Sequence, residues 1–126
     1  MPHIIDTSAI LAYLFKEKGH PLVEDLLAEC SEGSVNLGEV VAKYHDKGYS
    51  REDVEATLAS VELDTVPFDA DQAIFAGHLH PLTRHLGLSL GDRACLALAI
   101  PHRMPVLTAD RSWATLDVGV EIKFIR

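Results

Sequence analysis

The sequence predicts an α/β fold, a largely parallel sheet with helices on both faces. Two short apolar runs with β-branched residues, Ile4-Ile5 and Val106-Leu107, each stop within a few residues of an aspartate. That is how a buried strand ends at the rim of a sheet. Helix-period segments separate these runs from the other strand candidates, and such alternation argues for parallel strands joined by helical crossovers. A chain of 126 residues with 48% hydrophobic content is also long enough to bury a core without disulfides or a structural metal. One domain over residues 1–126 is expected, with no internal repeat and no linker.

Ile4-Ile5 reads as the first strand, with Asp6 at its carboxyl end and Thr7 or Ser8 as N-cap of a helix through Ile10, Leu11, Leu14 and Phe15. Gly19 suits the C′ position after that helix, and Pro21 suits the start of the next, whose Leu22, Val23, Leu26, Leu27 and Cys30 repeat on one face. Gly33 is expected to end it. Ser34-Val35-Asn36 is too short to assign firmly as a strand, and Asn36-Leu37-Gly38-Glu39 has capping-box spacing, which puts Glu39 in the first turn of a third helix closed by Gly48.

Ser50 opens a packing helix with Val54, Leu58 and Val61 on one face, and Leu63–Phe68 reads as a short strand in which Pro67 marks an edge position or the strand's end. Asp69 with Gln72 caps a helix through Ile74, Phe75 and Leu79, which Pro81 should stop or kink. Ser89-Leu90-Gly91-Asp92 is a second capping box, before a helix so apolar from Ala94 to Ile100 that it must be buried, with Pro101 at its end. Val106-Leu107-Thr108 is a buried strand running into Asp110. The alternating tail from Val118 to Ile125 reads as the last strand.

A net charge of −8 argues against a nucleic-acid coat protein, since phosphate binding needs clustered cations, but leaves room for an enzyme whose acids gather around a metal ion. No apolar run is long enough to span a membrane, and the N-terminal residues have no signal-peptide pattern, so a cytoplasmic protein with no membrane partner is expected. Cys30 and Cys95 stand apart and read as buried small hydrophobes. The seven histidines show no ligand spacing and default to the surface. Nucleotide-binding glycine loops and the serine-hydrolase elbow are absent. Trp113, Leu116 and Phe124 read as core or dimer contacts.

In a parallel sheet the ligand crevice lies outside the carboxyl ends of the strands. Asp6 and Asp110 each follow a strand, while Glu39 and Asp92 each begin a helix, so all four converge if those helices start at the same rim. Four carboxylates on separate elements suit a hard divalent cation such as Mg2+, which takes oxygen ligands and leaves room for phosphate. Such an ion lowers the pKa of a bound water and can direct it at a phosphodiester. Each acid alone reads equally well as a turn or capping residue. The ordered set favours a site.

Four stretches carry a family resemblance. Ile4-Ile5-Asp6-Thr7-Ser8-Ala9, Asn36-Leu37-Gly38-Glu39-Val40, Leu88–Ala97 around Asp92, and Pro105–Trp113 around Asp110 resemble, in order, the acidic motifs of PIN-domain ribonucleases, most nearly the VapC type of toxin. The resemblance implies a three-layer α/β/α fold with a mainly parallel sheet of about five strands, the first near its centre. It also implies a metal-dependent endoribonuclease using Mg2+ or Mn2+, with Asp6, Glu39, Asp92 and Asp110 as catalytic and metal-binding acids and Thr7 or Ser8 as a supporting hydroxyl. The partners it implies are structured RNA (transfer or ribosomal RNA), a cognate antitoxin and a second copy of the chain. Asn36 departs from the family, which often has Ser or Thr there. Arg93 and Arg111, each beside one of the acids, read as RNA contacts or as charges that screen the rim.

Two other functions compete. A catalytically silent PIN-like module could receive a basic peptide in the acidic groove. A phosphatase or receiver-type pocket is weaker, because Asp6-Thr7-Ser8 lacks the second aspartate of a D-x-D nucleophile motif.

Overall fold

A computed structural model describes residues 2–126. Its sheet has five strands, β1 (His3–Ile5), β2 (Cys30–Gly33), β3 (Asp64–Val66), β4 (Val106–Thr108) and β5 (Ile122–Phe124), in the order β3-β2-β1-β4-β5 with every neighbouring pair parallel. The connecting helices are α1 (Thr7–Leu14), α2 (His20–Leu26), α3 (Ser34–Asp46), α4 (Arg51–Ser60), α5 (Ala70–His78), α6 (His80–Thr83) and α7 (Leu90–His102).

The period-two alternation of β1 and β4 divides the core. Ile5 and Leu107 face a cluster with Ile10 of α1, Val23 of α2, Val40 and Tyr44 of α3 and Val54 of α4. Ile4 and Val106 face the other cluster, with Cys95, Leu96, Leu98 and Ala99 of α7 and with Trp113, which is completely buried. Helices therefore cover both faces, and the α/β/α layering expected from the sequence is present. β1 lies at the centre. The chain builds outward from it to β2 and β3, then returns to place β4 on its other side, so the point where strand order reverses lies between β1 and β4.

Most element starts follow the capping chemistry of the sequence. Ser50, Asp69 and Ser89 each accept a hydrogen bond from the backbone N–H three residues on, and Ser89 with Asp92 forms a complete capping box. β3 is an edge strand that stops before Pro67, as that residue's missing N–H requires.

Several expectations need correction. The second helix ends at Leu26 with a 3-10 turn over Leu27–Glu29, and residues from Cys30 to Gly33 form β2, not the helix end. α3 starts at Ser34, so Asn36 is not its N-cap and Glu39 lies in the second turn. Asp6 itself caps α1, accepting from the Ala9 N–H at 2.9 Å, so Thr7 and Ser8 are already helical. Pro101 lies inside the last turn of α7, which ends at Arg103 in the left-handed region (φ 54°). The last strand is confined to Ile122–Phe124. His3 is buried, with Nε2 3.0 Å from the Lys123 Nζ, so the surface assignment fails for this histidine.

Gly19 is not the C′ residue of α1; Lys16 takes the left-handed conformation there (φ 52°), and Gly19 precedes α2. Its φ of 93° disfavours any side chain, and a Cβ would collide with the backbone carbonyl of Ile125. Neither backbone can yield as a side chain could. Gly19→Ala is expected to cost about 2–4 kcal/mol, read as a lower denaturant midpoint with unchanged slope.

Candidate active site

Asp6 ends the central strand and faces the switch point. It is 3% exposed, and three donors hold its carboxylate: the Ala9 N–H and Ser8 Oγ at Oδ1 (2.9 and 2.7 Å), and Thr108 Oγ1 at Oδ2 (2.6 Å). Burial pushes its pKa up to about 6, against the pull of these hydrogen bonds, and the field of Asp92 adds to the rise. β4 approaches through the same hydroxyls. The Ala109 N–H donates to Ser8 Oγ at 2.9 Å and the Asp110 N–H to Thr108 Oγ1 at 3.0 Å, so Ala109 is tied to Asp6 through Ser8 and Asp110 through Thr108.

Glu39 reaches the rim from α3. Its Oε1 accepts from Thr7 Oγ1 at 2.6 Å and from Asn36 Nδ2 at 3.2 Å. Asn36 is 1% exposed and also donates to Thr7 Oγ1 (3.0 Å) and to the Gly91 carbonyl (3.3 Å), joining α1, α3 and α7 at one point. Gly91 makes room for this arrangement. A Cβ there would lie 2.5 Å from the Glu39 Cδ and Oε1.

Asp92 enters at the N-terminal turn of α7. Its carboxyl pKa is raised by burial, and the charges of Glu39 and Asp110 raise it further. Beneath it, the fully buried Cys95 thiol is pushed well up by burial and then by the fields of Asp6, Asp92 and Glu39. Thr7, next to Asp6, donates to Glu39; Asn36 reaches from Glu39 to the Gly91 carbonyl next to Asp92; and Thr108 Oγ1 links Asp6 to the Asp110 N–H, so the segments that bear the four acids meet at the carboxyl ends of β1 and β4. Among the described residues the two ion pairs, Arg51–Glu55 and Arg126–Glu17, both lie elsewhere, and no basic side chain neutralises the cluster.

A family model described as the PIN domain matches residues 3–119. The chain belongs to the PIN domain family. The solved structures that resemble this PIN domain include DNA-bound VapBC from Salmonella typhimurium (16% identity, TM-score 0.78, 100% of this chain and 99% of that one). VapBC2 from Rickettsia felis, bound to a DNA fragment from its promoter, is 19% identical with TM-score 0.73, covering 98% of each chain. VapBC-5 from Mycobacterium tuberculosis, of a family of toxin–antitoxin systems, is 25% identical with TM-score 0.65, covering 99% of this chain and 98% of that one. A search of curated proteins returned no match.

The donor set of this PIN domain suits a hard divalent cation: carboxylate oxygens from four elements, mutually repelling and without a cationic neighbour. In the arrangement seen, no three His, Cys, Asp or Glu side chains among the described residues are set to share one ion. Asp92 is turned to the Ser89 N–H (2.9 Å) and Asp110 to the Ser112 N–H (3.0 Å).

Neither arginine points into the cluster. Arg93 donates to the Ala76 carbonyl of α5 at 3.1 Å, and the Arg111 guanidinium lies 4.6 Å above the Phe124 ring. Three residues that act on the site escaped sequence reasoning: Asn36, Gly91 and Thr108. Asn36 and Glu39 are spaced as a capping pair, and that same spacing stacks them one turn apart on α3, which was the available signal. For Thr108 and Gly91 the partner is far away in sequence, and no local pattern marks them.

Proposed function

We propose that this PIN domain is a metal-dependent endoribonuclease that hydrolyses phosphodiester bonds of structured RNA, transfer or ribosomal RNA, and is the toxin of a type II toxin–antitoxin pair. The observation that carries the proposal is the gathering of Asp6, Glu39, Asp92 and Asp110 around the switch point, where burial raises the carboxyl pKa of Asp6 and of Asp92. Such a cluster is destabilised as it stands and relieved by a cation. Family membership and the toxin–antitoxin complexes among its structural relatives support the nuclease and toxin assignments. Those complexes also support a cognate antitoxin as partner, and a homodimer in the cytoplasm completes the proposal. Among the described residues no helix is long and apolar enough to cross a membrane.

The four acids would hold Mg2+ or Mn2+, which when bound neutralises phosphate charge and activates water as the nucleophile. The chain's own contribution is orientation. Thr7 and Asn36 fix Glu39, while Ser8 and Thr108 fix Asp6, so two of the four acids enter the reaction with little freedom left to lose. Asp92 sits at a helix N-terminus, which favours its ionised form by about 0.3–1 kcal/mol against the repulsion of its neighbours. Of the two arginines, exposed Arg111 is available to a substrate phosphate, whereas Arg93 serves packing with α5.

The test is cleavage of total transfer and ribosomal RNA by the purified protein with Mg2+ or Mn2+. Cleavage should vanish with EDTA, return with excess metal, and be absent in a folded Asp92→Asn variant. RNA left intact under every metal condition, together with tight binding of a basic peptide at the rim, would transfer the assignment to the silent binding module.

A further inference from the structure

Lys43 on α3 and Lys47 at its C-cap follow Glu39 at four-residue spacing, about 6 and 12 Å further along the axis. α1 runs beside them, and between the two helices is a groove of about 260 Å³ lined by Ser8 and Phe15 of the α1 segment, by Lys43 and Lys47, and by Glu17 and Arg126 at its far end. The groove borders the acid rim at Ser8, whose Oγ donates to Asp6 at 2.7 Å. Arg126 is engaged with Glu17 at 3.6 Å and with the Lys18 carbonyl at 3.1 Å, which leaves the two exposed lysines as the cations of the groove without an ion pair among the described residues. Lys47 rests 4.4 Å above the Phe15 ring, within an aromatic group in which Phe15, Tyr44 and Tyr49 have centroids 4.7 to 6.1 Å apart. Tyr49, 43% exposed, ends that group at the surface.

Cations spaced along a groove, beside an exposed aromatic ring braced by others, form the pattern that holds a single nucleic-acid strand. On a chain of net charge −8, positive groups aligned with a cluster of acids supply the local attraction that the overall charge denies to a polyanion. We propose that the α1–α3 groove is the track for the RNA strand on one side of the scissile bond, with Lys43 and Lys47 on backbone phosphates and Tyr49 stacking a base beyond them. The proposal rests on the nuclease reading for the identity of the strand. An acidic protein segment would also meet the lysines, but the continuity of the groove with the acids favours a strand that must reach them.

Lys43→Gln/Lys47→Gln and Tyr49→Ala alter exposed side chains, and unchanged circular dichroism would establish their folds. Binding of a short unstructured RNA is measured in an Asp92→Asn background, which leaves the strand uncut. The double lysine variant should weaken binding by about tenfold or more and flatten the plot of log Kd against log salt by about 1.4, two phosphates at about 0.7 each. Lys43→Arg/Lys47→Arg should restore both. Tyr49→Ala should weaken binding roughly fivefold or more with the salt slope unchanged. In the otherwise native chain, the double lysine variant should cut long RNA with a raised KM and a nearly native kcat.

Unchanged RNA affinity and salt slope in the double variant overturn the groove assignment, and so does a loss confined to an acidic peptide. If the native protein cuts no RNA yet binds it in a lysine-dependent way, the nuclease reading fails and the groove stands.

Discussion

Asp6→Asn is expected to abolish RNA cleavage, by about 10³-fold or more, and at the same time to make the metal-free protein more stable at neutral and alkaline pH. The carboxyl is 3% exposed, and burial raises its pKa from 3.8 to about 6. Between those values the folded chain holds a proton that the unfolded chain has released, so stability falls as pH rises through this window. Above pH ~6 the accumulated cost of ionising Asp6 is on the order of 3 kcal/mol. Asparagine keeps the acceptor for Ala9 and carries no charge, and Thr108 Oγ1 can turn to accept from its amide.

The variant should therefore melt roughly 5–10 °C above the native chain at pH ~8, with the difference vanishing below pH ~4. Added Mg2+ should raise the Tm of the native protein and leave the variant nearly unmoved, by linkage of binding to the folded state. Thermal melts over pH, with and without metal, check every part. A variant that loses stability at pH ~8 would show that Asp6 is a structural cap and not a strained ligand.

The second large effect is expected at a residue with no functional group. Gly91→Ala places a Cβ where the Glu39 carboxylate now sits, so that side chain must withdraw and release Thr7 and Asn36. A displaced ligand should lower kcat for RNA cleavage roughly 10²-fold, the usual penalty for misplacement on the ångström scale. Alanine favours a helix over glycine by up to about 1 kcal/mol, against two lost hydrogen bonds at roughly that scale each, so the net loss of stability should be about 1 kcal/mol. A large fall in cleavage with a Tm lowered by only a few degrees would separate this effect from misfolding, and Gly91→Ala/Glu39→Asp, with a shorter acid, should recover part of the rate.

Reading the chain in one dimension worked where the signal is local. Ser50, Asp69 and Ser89 cap their helices because a short polar side chain reaches the backbone three residues on, which needs no tertiary contact. It failed at Cys30–Gly33. Cys30 continues the apolar face of α2 by helical spacing, yet pairing with β1 and β3 on its two sides draws this segment into the sheet. It also failed at Pro101, where the lost N–H costs one hydrogen bond at the last turn, and the buried packing of α7 carries the helix past it.

Periodicity and capping are properties of neighbouring residues, so the α/β class, the strand ends before Asp6 and Asp110, and the helix start at Asp92 were legible in the chain before it folds. Which residues serve the acids was decided by the tertiary structure alone. Asn36 was spaced as a cap and became the donor that joins three helices, Thr108 was the end of a strand and became a partner of Asp6, and Gly91 is needed only because Glu39 arrives from elsewhere. The physical reason is that a hydrogen bond across 102 positions, or a carboxylate filling the space beside a glycine, exists only after parallel strands have brought distant segments to one rim.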